Sequence, residues 1–120
     1  MAQLEEILRR KKEREEKLKH SLASVTRQLG DLGALRIVLF GSLAEGDVDV
    51  SSDLDLLVIM PIEKTGKEWM KLAYENIDRG IASDIIICNE RELEENLEES
   101  SFLRSILDSG RTVYEKTLRR

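Results

Sequence analysis

The chain contains few cysteine, proline and aromatic residues, which in other proteins form disulfides, bend the backbone and fill the core. Its 120 residues include one cysteine, one proline, one tryptophan, two tyrosines and two phenylalanines. The single cysteine, Cys88, excludes an internal disulfide and favours a reducing, cytoplasmic location. Because aromatic side chains are few, we expect an aliphatic core with Cys88 as an inert member of it.

Long hydrophobic runs are also missing from the sequence. No apolar stretch approaches the roughly 20 residues that span a bilayer. Residues 1–10 lack the hydrophobic region of a secretory signal, so we expect no membrane partner. With 41% hydrophobic and 36% charged residues, the composition is typical of a globular protein with one modest core.

The formal net charge of −5 is unevenly distributed along the chain. Residues 1–30 carry eight Lys and Arg against five acidic residues, whereas residues 31–120 carry eleven against nineteen. Affinity for nucleic acid comes mostly from neutralising phosphates with basic side chains, so we expect the acidic body not to bind nucleic acid stably. The same balance suits a protein that binds Mg²⁺ and a nucleotide at one local site.

The sequence predicts a charged N-terminal helix in residues 1–30, followed by a domain in residues 31–120, as one compact unit. Residues 9–17 are expected to form a solvated helical face, because Lys11 and Glu15 interrupt an apolar stripe. The helix is either a cap on the domain or a docking surface for a partner or a second copy. From Leu18 on, the stripe is expected to face the core. It consists of Leu4, Leu8, Leu18, Leu22, Val25 and Leu29.

The remaining chain alternates between strand and helix patterns, separated by glycine and proline. Such alternation, with one close strand–loop–strand pair, predicts an α/β (α+β) fold in which helices cover a small mixed sheet. Between the first two strands, residues 41–52 are expected to be a loop with at most one helical turn. The predicted strands are 35–40, 53–60, 81–88 and 112–116. The predicted helices are 67–78, a helix that runs to residue 97 and is capped by Asn89 in a capping-box pattern, and 102–109.

Paired acidic residues stand at the start of the second predicted strand. Asp53 and Asp55 flank Leu54, and alternate residues of a strand point to the same face. Two neighbouring carboxylates repel each other unless a cation lies between them. Asp84 precedes the apolar run of the third strand and joins the pair if that strand lies beside the second. Carboxylate oxygens suit Mg²⁺, so the three residues are candidate metal ligands.

A Gly-Ser turn follows the first strand, ten residues before the acidic pair. Gly41 has no Cβ, which allows the backbone to approach a phosphate group closely. The Ser42 hydroxyl and the amides that follow supply neutral donors to phosphate oxygens. The turn is neither a Walker loop nor a G-x-G-x-x-G dinucleotide turn, because the residues of those motifs are missing.

The order of these parts resembles the polymerase-β-like nucleotidyltransferase superfamily: Gly-Ser, ten residues, Asp-x-Asp, and a later strand-borne Asp. Within it, the chain is similar to the minimal nucleotidyltransferases that act as MntA-type antitoxins. The resemblance covers about residues 35–116 and includes the closing segment 100–116. It implies that Gly41 and Ser42 bind the nucleotide phosphates. It also implies that two Mg²⁺ ions are held by Asp53, Asp55 and Asp84.

The resemblance also implies an activity and a partner. Members of this superfamily transfer a nucleoside monophosphate from ATP or another NTP to a hydroxyl and release pyrophosphate. MntA-type members adenylylate a tyrosine of a companion HEPN-domain ribonuclease toxin and thereby silence it. Asp84 is expected to help deprotonate the attacking hydroxyl.

One departure from the family pattern supports a different class of function. Glu45 stands where many relatives carry arginine, and Asp47 and Asp49 add further negative charge. The alternative is therefore a binding or scaffold module that keeps the fold and neutralises a helical partner. A second alternative is a nucleotidyltransferase for a small molecule such as an aminoglycoside, with its acceptor domain on a separate chain.

Overall fold

A computed structural model describes residues 2–81 and 83–117 of the chain. Five helices and four strands alternate along these residues. In chain order they are α1 (Ala2–Leu32), β1 (Arg36–Phe40), α2 (Ser42–Glu45), β2 (Leu54–Met60), α3 (Gly66–Asn76), β3 (Ser83–Asn89), α4 (Glu90–Leu97), α5 (Ser101–Ser109) and β4 (Arg111–Glu115).

The strands form one mixed sheet in the order β3-β2-β1-β4. β1 pairs antiparallel with both β2 and β4, whereas β2 and β3 run parallel. The parallel pair is connected through α3, and the antiparallel pair β1 and β2 through the short segment that contains α2. The predicted α+β fold with a small mixed sheet is confirmed.

Two apolar clusters cover the two faces of the sheet, because successive residues of a strand point to opposite sides. The larger cluster joins alternate residues of β1, β2 and β3 to side chains of α1 and α3. The smaller cluster packs Val38 and Leu57 against Ile106 of α5. By the same alternation, Asp55 and Asp84 lie on the face that α5 covers.

The two halves of α1 differ in their burial. Leu18, Val25 and Leu29 are fully buried, which confirms the predicted core-facing edge in the second half of the helix. Leu4 and Leu8 are 61% and 57% exposed. The prediction that residues 9–17 are a solvated face is wrong at one position, because Arg14 is half-buried against the segment that precedes β2.

Several boundaries differ by one or two residues from the sequence prediction, and two of these differences have local reasons. The third strand begins at Ser83 rather than at residue 81, after a tight turn in which Ile81 N–H donates to the carbonyl of Arg79. Residue 82, part of that predicted strand, lies outside the described residues. The helix predicted at 67–78 ends at Asn76, because Asp78 N–H donates to the Gln28 side chain instead of to a helical carbonyl.

The cap predicted for α4 is confirmed. Asn89 accepts from Glu92 N–H through its side chain, and the Glu92 carboxylate accepts from Asn89 N–H, so the two residues form a capping box. The Glu92 carboxylate also accepts from Gly66 N–H at 2.9 Å. One acidic side chain therefore ties the first turn of α3 to the first turn of α4.

The division of the chain into a helix (residues 1–30) and a domain (residues 31–120) stays a prediction. Residues 1, 82 and 118–120 lie outside the described residues. Buried side chains of α1 belong to the same apolar cluster as those of the strands. In the described part of the chain, no helix combines the length and hydropathy that crossing a membrane requires.

Candidate active site

The strand register brings the motif residues to one edge of the sheet. Phe40, the residue before Gly41, pairs with Asp55 across the antiparallel ladder. On its other side Asp55 pairs with Asp84 in the parallel ladder. The glycine turn and two candidate carboxylates thus stand on three adjacent strands, and Asp53 precedes the central one.

Gly41 and Asp55 are in direct contact. A Cβ added to Gly41 would lie 3.0 Å from Asp55 Cγ and closer still to one carboxylate oxygen. Gly41 also has φ 76° and ψ −157°, a backbone conformation that residues with a side chain rarely adopt. Both the conformation and the lack of space require glycine, so the turn lies against the carboxylate.

The carboxyl group of Asp55 is the electrostatic centre of the cluster. Burial raises its pKa above the ordinary value of 3.8, and the nearby carboxylates of Asp84 and Asp53 raise it further. All three contributions disfavour the ionised form of Asp55. A bound cation would oppose each of them, which is a physical reason to place a positive charge beside this residue.

Asp53 lies at the rim of the cluster, and a basic residue contacts it. Its side chain is 53% exposed, and Oδ1 is 3.6 Å from a guanidinium nitrogen of Arg14. Nε of the same guanidinium donates to the carbonyl of Ser52 at 2.8 Å. The Ser52 hydroxyl in turn accepts from Asp49 N–H, which makes the loop before β2 compact.

The loop before β3, which leads to Asp84, is also held by α1. The Gln28 side chain donates to the carbonyl of Asp78 at 2.8 Å and accepts from Asp78 N–H at 2.9 Å. Both polar groups of the Asp78 backbone are therefore paired with one amide side chain. Gly80, two residues further on, turns the chain toward β3 with φ 67°.

The short helix α2 carries Ser42 at its first position. Leu43 is buried and anchors the helix, whereas Ser42 is half-buried and Glu45 is exposed. No side chain caps the first turn, since the N-cap residue is Gly41. Among the described residues, no side chain accepts from the amide groups that follow the glycine, and Glu45 lies one helical turn after Ser42.

The donor chemistry of the cluster fits a divalent cation, although the ligands are not gathered around one point. Within residues 2–81 and 83–117, no group of three His, Cys, Asp or Glu side chains stands close enough to hold a metal ion. Asp55 and Asp84 are direct neighbours, whereas Asp53 is within ion-pair distance of Arg14. Carboxylate oxygens are the ligands that Mg²⁺ prefers, so these three side chains have the chemical groups that the ion requires.

The sequence analysis missed two residues at this site, Arg14 and Gln28. Both lie on α1 in phase with its buried residues: Arg14 is four residues before Leu18, and Gln28 is three residues after Val25. Positions three or four apart share one face of a helix. The helical spacing from the buried residues was the available signal. At Arg14 it was obscured by the many charged residues of the segment 9–17.

An acidic cluster beside a glycine turn, on a mixed sheet, defines a protein suited to phosphoryl or nucleotidyl transfer. A family model for the nucleotidyltransferase domain matches residues 3–113. The chain therefore belongs to the nucleotidyltransferase domain family, whose members generally use an NTP and a divalent metal.

The fold has a counterpart among solved structures. A crystal structure of a candidate nucleotidyltransferase from Sulfolobus solfataricus superimposes with a TM-score of 0.57 at 17% sequence identity. The match covers 84% of this chain and 82% of that one. At that identity the similarity concerns the fold alone. No curated protein sequence matches the chain.

Proposed function

We propose that this protein transfers a nucleoside monophosphate, AMP from ATP, to a hydroxyl group. The observation that carries the proposal is the contact between Gly41 and Asp55, with Asp84 paired beside Asp55 on the next strand. A backbone turn without a side chain lies there against a carboxylate cluster. This is the juxtaposition needed to hold phosphate groups and their counter-ions together.

In this proposal Asp53, Asp55 and Asp84 hold two Mg²⁺ ions. When bound, the ions neutralise phosphate oxygens and the charge that develops on the attacking and leaving oxygens. Burial makes the largest contribution to the raised pKa of Asp55, and the carboxylates that raise it further are the other two proposed ligands, which supports the assignment.

Gly41 and Ser42 bind the phosphate groups in this proposal. The missing Cβ allows the Gly41 turn to lie directly against Asp55, and the Ser42 hydroxyl donates a hydrogen bond to a phosphate oxygen. The uncapped first turn of α2 supplies further N–H donors next to that hydroxyl. Since these donors are neutral, they orient the triphosphate without replacing the cations that balance its charge.

The transfer step conserves atoms and electrons. The acceptor oxygen forms a bond to the α-phosphorus, and the bond from that phosphorus to the oxygen bridging to the β-phosphate breaks. The leaving group is pyrophosphate, which keeps the bond electrons. The hydroxyl proton passes to a carboxylate oxygen of Asp84, which is exposed at the start of the edge strand β3 and accessible to an acceptor.

We propose that the acceptor is a tyrosine of a HEPN-type partner, so that the protein acts as an antitoxin in the cytoplasm. The family resemblance of the motif supports this specificity. The first turns of α1 provide a surface for such a partner, because Leu4, Ile7 and Leu8 are 61%, 47% and 57% exposed. The same apolar face would also serve a second copy of the chain.

Labelling with α-³²P-ATP and Mg²⁺ tests the proposal, with and without the product of the neighbouring gene. We expect label on the partner, loss of label with Asp53→Asn or Asp55→Asn, and retained label with the control Asp47→Asn. Asparagine has nearly the same shape as aspartate, so these changes remove charge without removing volume. Transfer that survives either change at the proposed ligands would contradict the metal assignment.

A scaffold function is the second candidate, and Glu45 is the observation that favours it. An exposed carboxylate one turn from Ser42 repels a triphosphate and weakens nucleotide binding. Such a protein would neutralise its partner by binding alone. Calorimetry with Mg²⁺-ATP separates the two candidates, because micromolar nucleotide binding contradicts the scaffold. A folded protein that binds the partner but no nucleotide contradicts the transferase.

A further inference from the structure

Arg14 differs from the other arginines in the first half of α1. Arg9 and Arg10 are 59% and 64% exposed, and their ion pairs lie within the helix, with Glu6 and Glu13. The side chain of Arg14 is 23% exposed, and its contacts cross to the segment before β2. This arginine is therefore fixed by the tertiary structure, and its charge is directed toward the acidic cluster.

The guanidinium of Arg14 makes two different contacts there. Nε donates to the Ser52 carbonyl at 2.8 Å, which fixes the position of the side chain. A terminal nitrogen lies 3.6 Å from Asp53 Oδ1, which is an ion pair. The first contact needs only a donor, whereas the second needs a positive charge, so substitutions can separate the two roles.

A positive charge beside a proposed metal ligand opposes a second positive charge at the same place. Arg14 forms an ion pair with the Asp53 carboxylate, and a divalent cation must replace that ion pair before it can use the carboxylate as a ligand. The geometry agrees with this competition: Asp55 and Asp84 are adjacent, and Asp53 is the proposed ligand that contacts a guanidinium.

We propose that Arg14 is a positioning residue that acts as an internal counter-charge for Asp53, and that a divalent cation binds by displacing it. The guanidinium keeps its hydrogen bond to Ser52 as the ion enters, so the loop before β2 remains in place. The proposal rests on the metal site of the proposed function. It adds to the proposed metal site a residue that sets the affinity of the site for the ion.

Direct Mn²⁺ binding to the whole protein without nucleotide tests the proposal, with free Mn²⁺ measured by electron paramagnetic resonance. In Arg14→Gln, the amide retains a donor for the Ser52 carbonyl but loses the charge. We expect Mn²⁺ to bind about threefold to tenfold more tightly than to the wild type. Arg14→Lys keeps the charge and should bind as the wild type does. The matched control is Arg10→Gln, which removes an exposed charge of the same helix and should change affinity less than twofold.

The outcomes distinguish this proposal from the function on which it rests. If wild-type protein binds Mn²⁺, and Asp55→Asn abolishes binding, but Arg14→Gln binds no more tightly, the counter-charge role is wrong and the metal site stands. If neither the wild type nor Arg14→Gln binds Mn²⁺, both the counter-charge role of Arg14 and the proposed metal site are wrong. A gain in Arg14→Gln that persists in Arg14→Gln/Asp53→Asn also overturns the role, because the effect would then bypass Asp53. Thermal unfolding of each variant verifies that it is folded.

Discussion

The carboxylate of Asp55 occupies the space beside the Cα of Gly41 that any larger residue would need for its Cβ. Gly41 directly follows Phe40, the last residue of β1, and Phe40 is the register partner of Asp55 on the neighbouring strand β2. The contact couples the shape of the glycine turn to the position of the central carboxylate. A substitution at either residue should therefore alter the position of the other.

Gly41→Ala should reduce nucleotidyl transfer by about 100-fold or more, because the new methyl group displaces Asp55 and a shift of roughly 1 Å at a reacting centre has this effect. The matched control is Gly46→Ala. Gly46 has a similar φ of 74°, but a Cβ there meets no atom of the described residues within 4 Å. Gly46→Ala should lose about 1–2 kcal/mol of unfolding free energy, because Gly46 has the left-handed conformation. Gly41→Ala should lose more, because φ 76° with ψ −157° is a conformation essentially restricted to glycine and the new methyl group meets Asp55. Only Gly41→Ala should lose activity. Equal activity losses would show that backbone strain, and not the contact with Asp55, is responsible.

The raised pKa of Asp55 predicts a pH dependence of stability in the absence of divalent ions. Because the folded-state pKa lies above the unfolded value, the protonated group favours folding at low pH, and this contribution is lost as pH rises through the folded pKa. Urea unfolding in EDTA should show Asp55→Asn gaining stability relative to wild type as pH rises from 4 toward 7. The comparison must be a difference between variants, since the lowered pKa values of Glu6 and Glu68 act in the opposite direction. An exposed control, Glu99→Gln, should show no such trend, and a flat difference for Asp55→Asn would contradict the prediction.

The second half of α1 should contribute strongly to stability and the first half hardly at all. Leu18→Ala removes a fully buried side chain and should cost about 2–5 kcal/mol of unfolding free energy. Leu8→Ala, at a position 57% exposed, should change it by less than about 0.5 kcal/mol. Urea unfolding of the isolated protein measures both. If Leu8 serves a partner, Leu8→Ala should weaken partner binding while leaving stability unchanged.

The Cys88 thiol should be unreactive in the folded protein. Burial raises its pKa to about 11, and the neighbouring Glu92 carboxylate raises it as well. The thiolate is the reactive form, so alkylation by iodoacetamide at pH 7.5 should be far slower than for a free thiol. Mass spectrometry follows the reaction, and unfolding in guanidinium should restore the ordinary rate. Fast labelling of the folded protein would show that the thiol is accessible and activated.

Most of the fold could be predicted because local signals mark its boundaries. Gly41 ends β1, Pro61 follows β2, and Asn89 caps α4 at the position that its capping-box pattern indicates. Each of these boundary signals lies within a few residues of the feature it predicts. The convergence of Asp55 and Asp84 was predicted on the condition that the second and third strands are neighbours, and the sheet order meets that condition.

The role of Arg14 could not be predicted in the same way. Its partners, Ser52 and Asp53, are 38 and 39 residues away along the chain, and they meet it only through the path of α1 across the sheet. A charge-rich segment is compatible with solvent on every side, and only packing shows which charge faces inward. The burial of Leu18 fixes the rotation of the helix and thereby places Arg14 against the loop.

The two contacts that α1 makes with the loops before β2 and β3 make the helix a spacer whose residue count matters. Arg14 and Gln28 are 14 residues apart, about 3.9 helical turns, so both side chains leave the helix on the same side. One inserted residue between them would rotate one contact by about 100° relative to the other and detach a loop. An insertion of seven residues would restore the angle, but would lengthen the separation by about 10 Å. The loops before β2 and β3 are therefore matched, at Ser52 and Asp78, to the pitch of a helix that contains neither Asp53 nor Asp84.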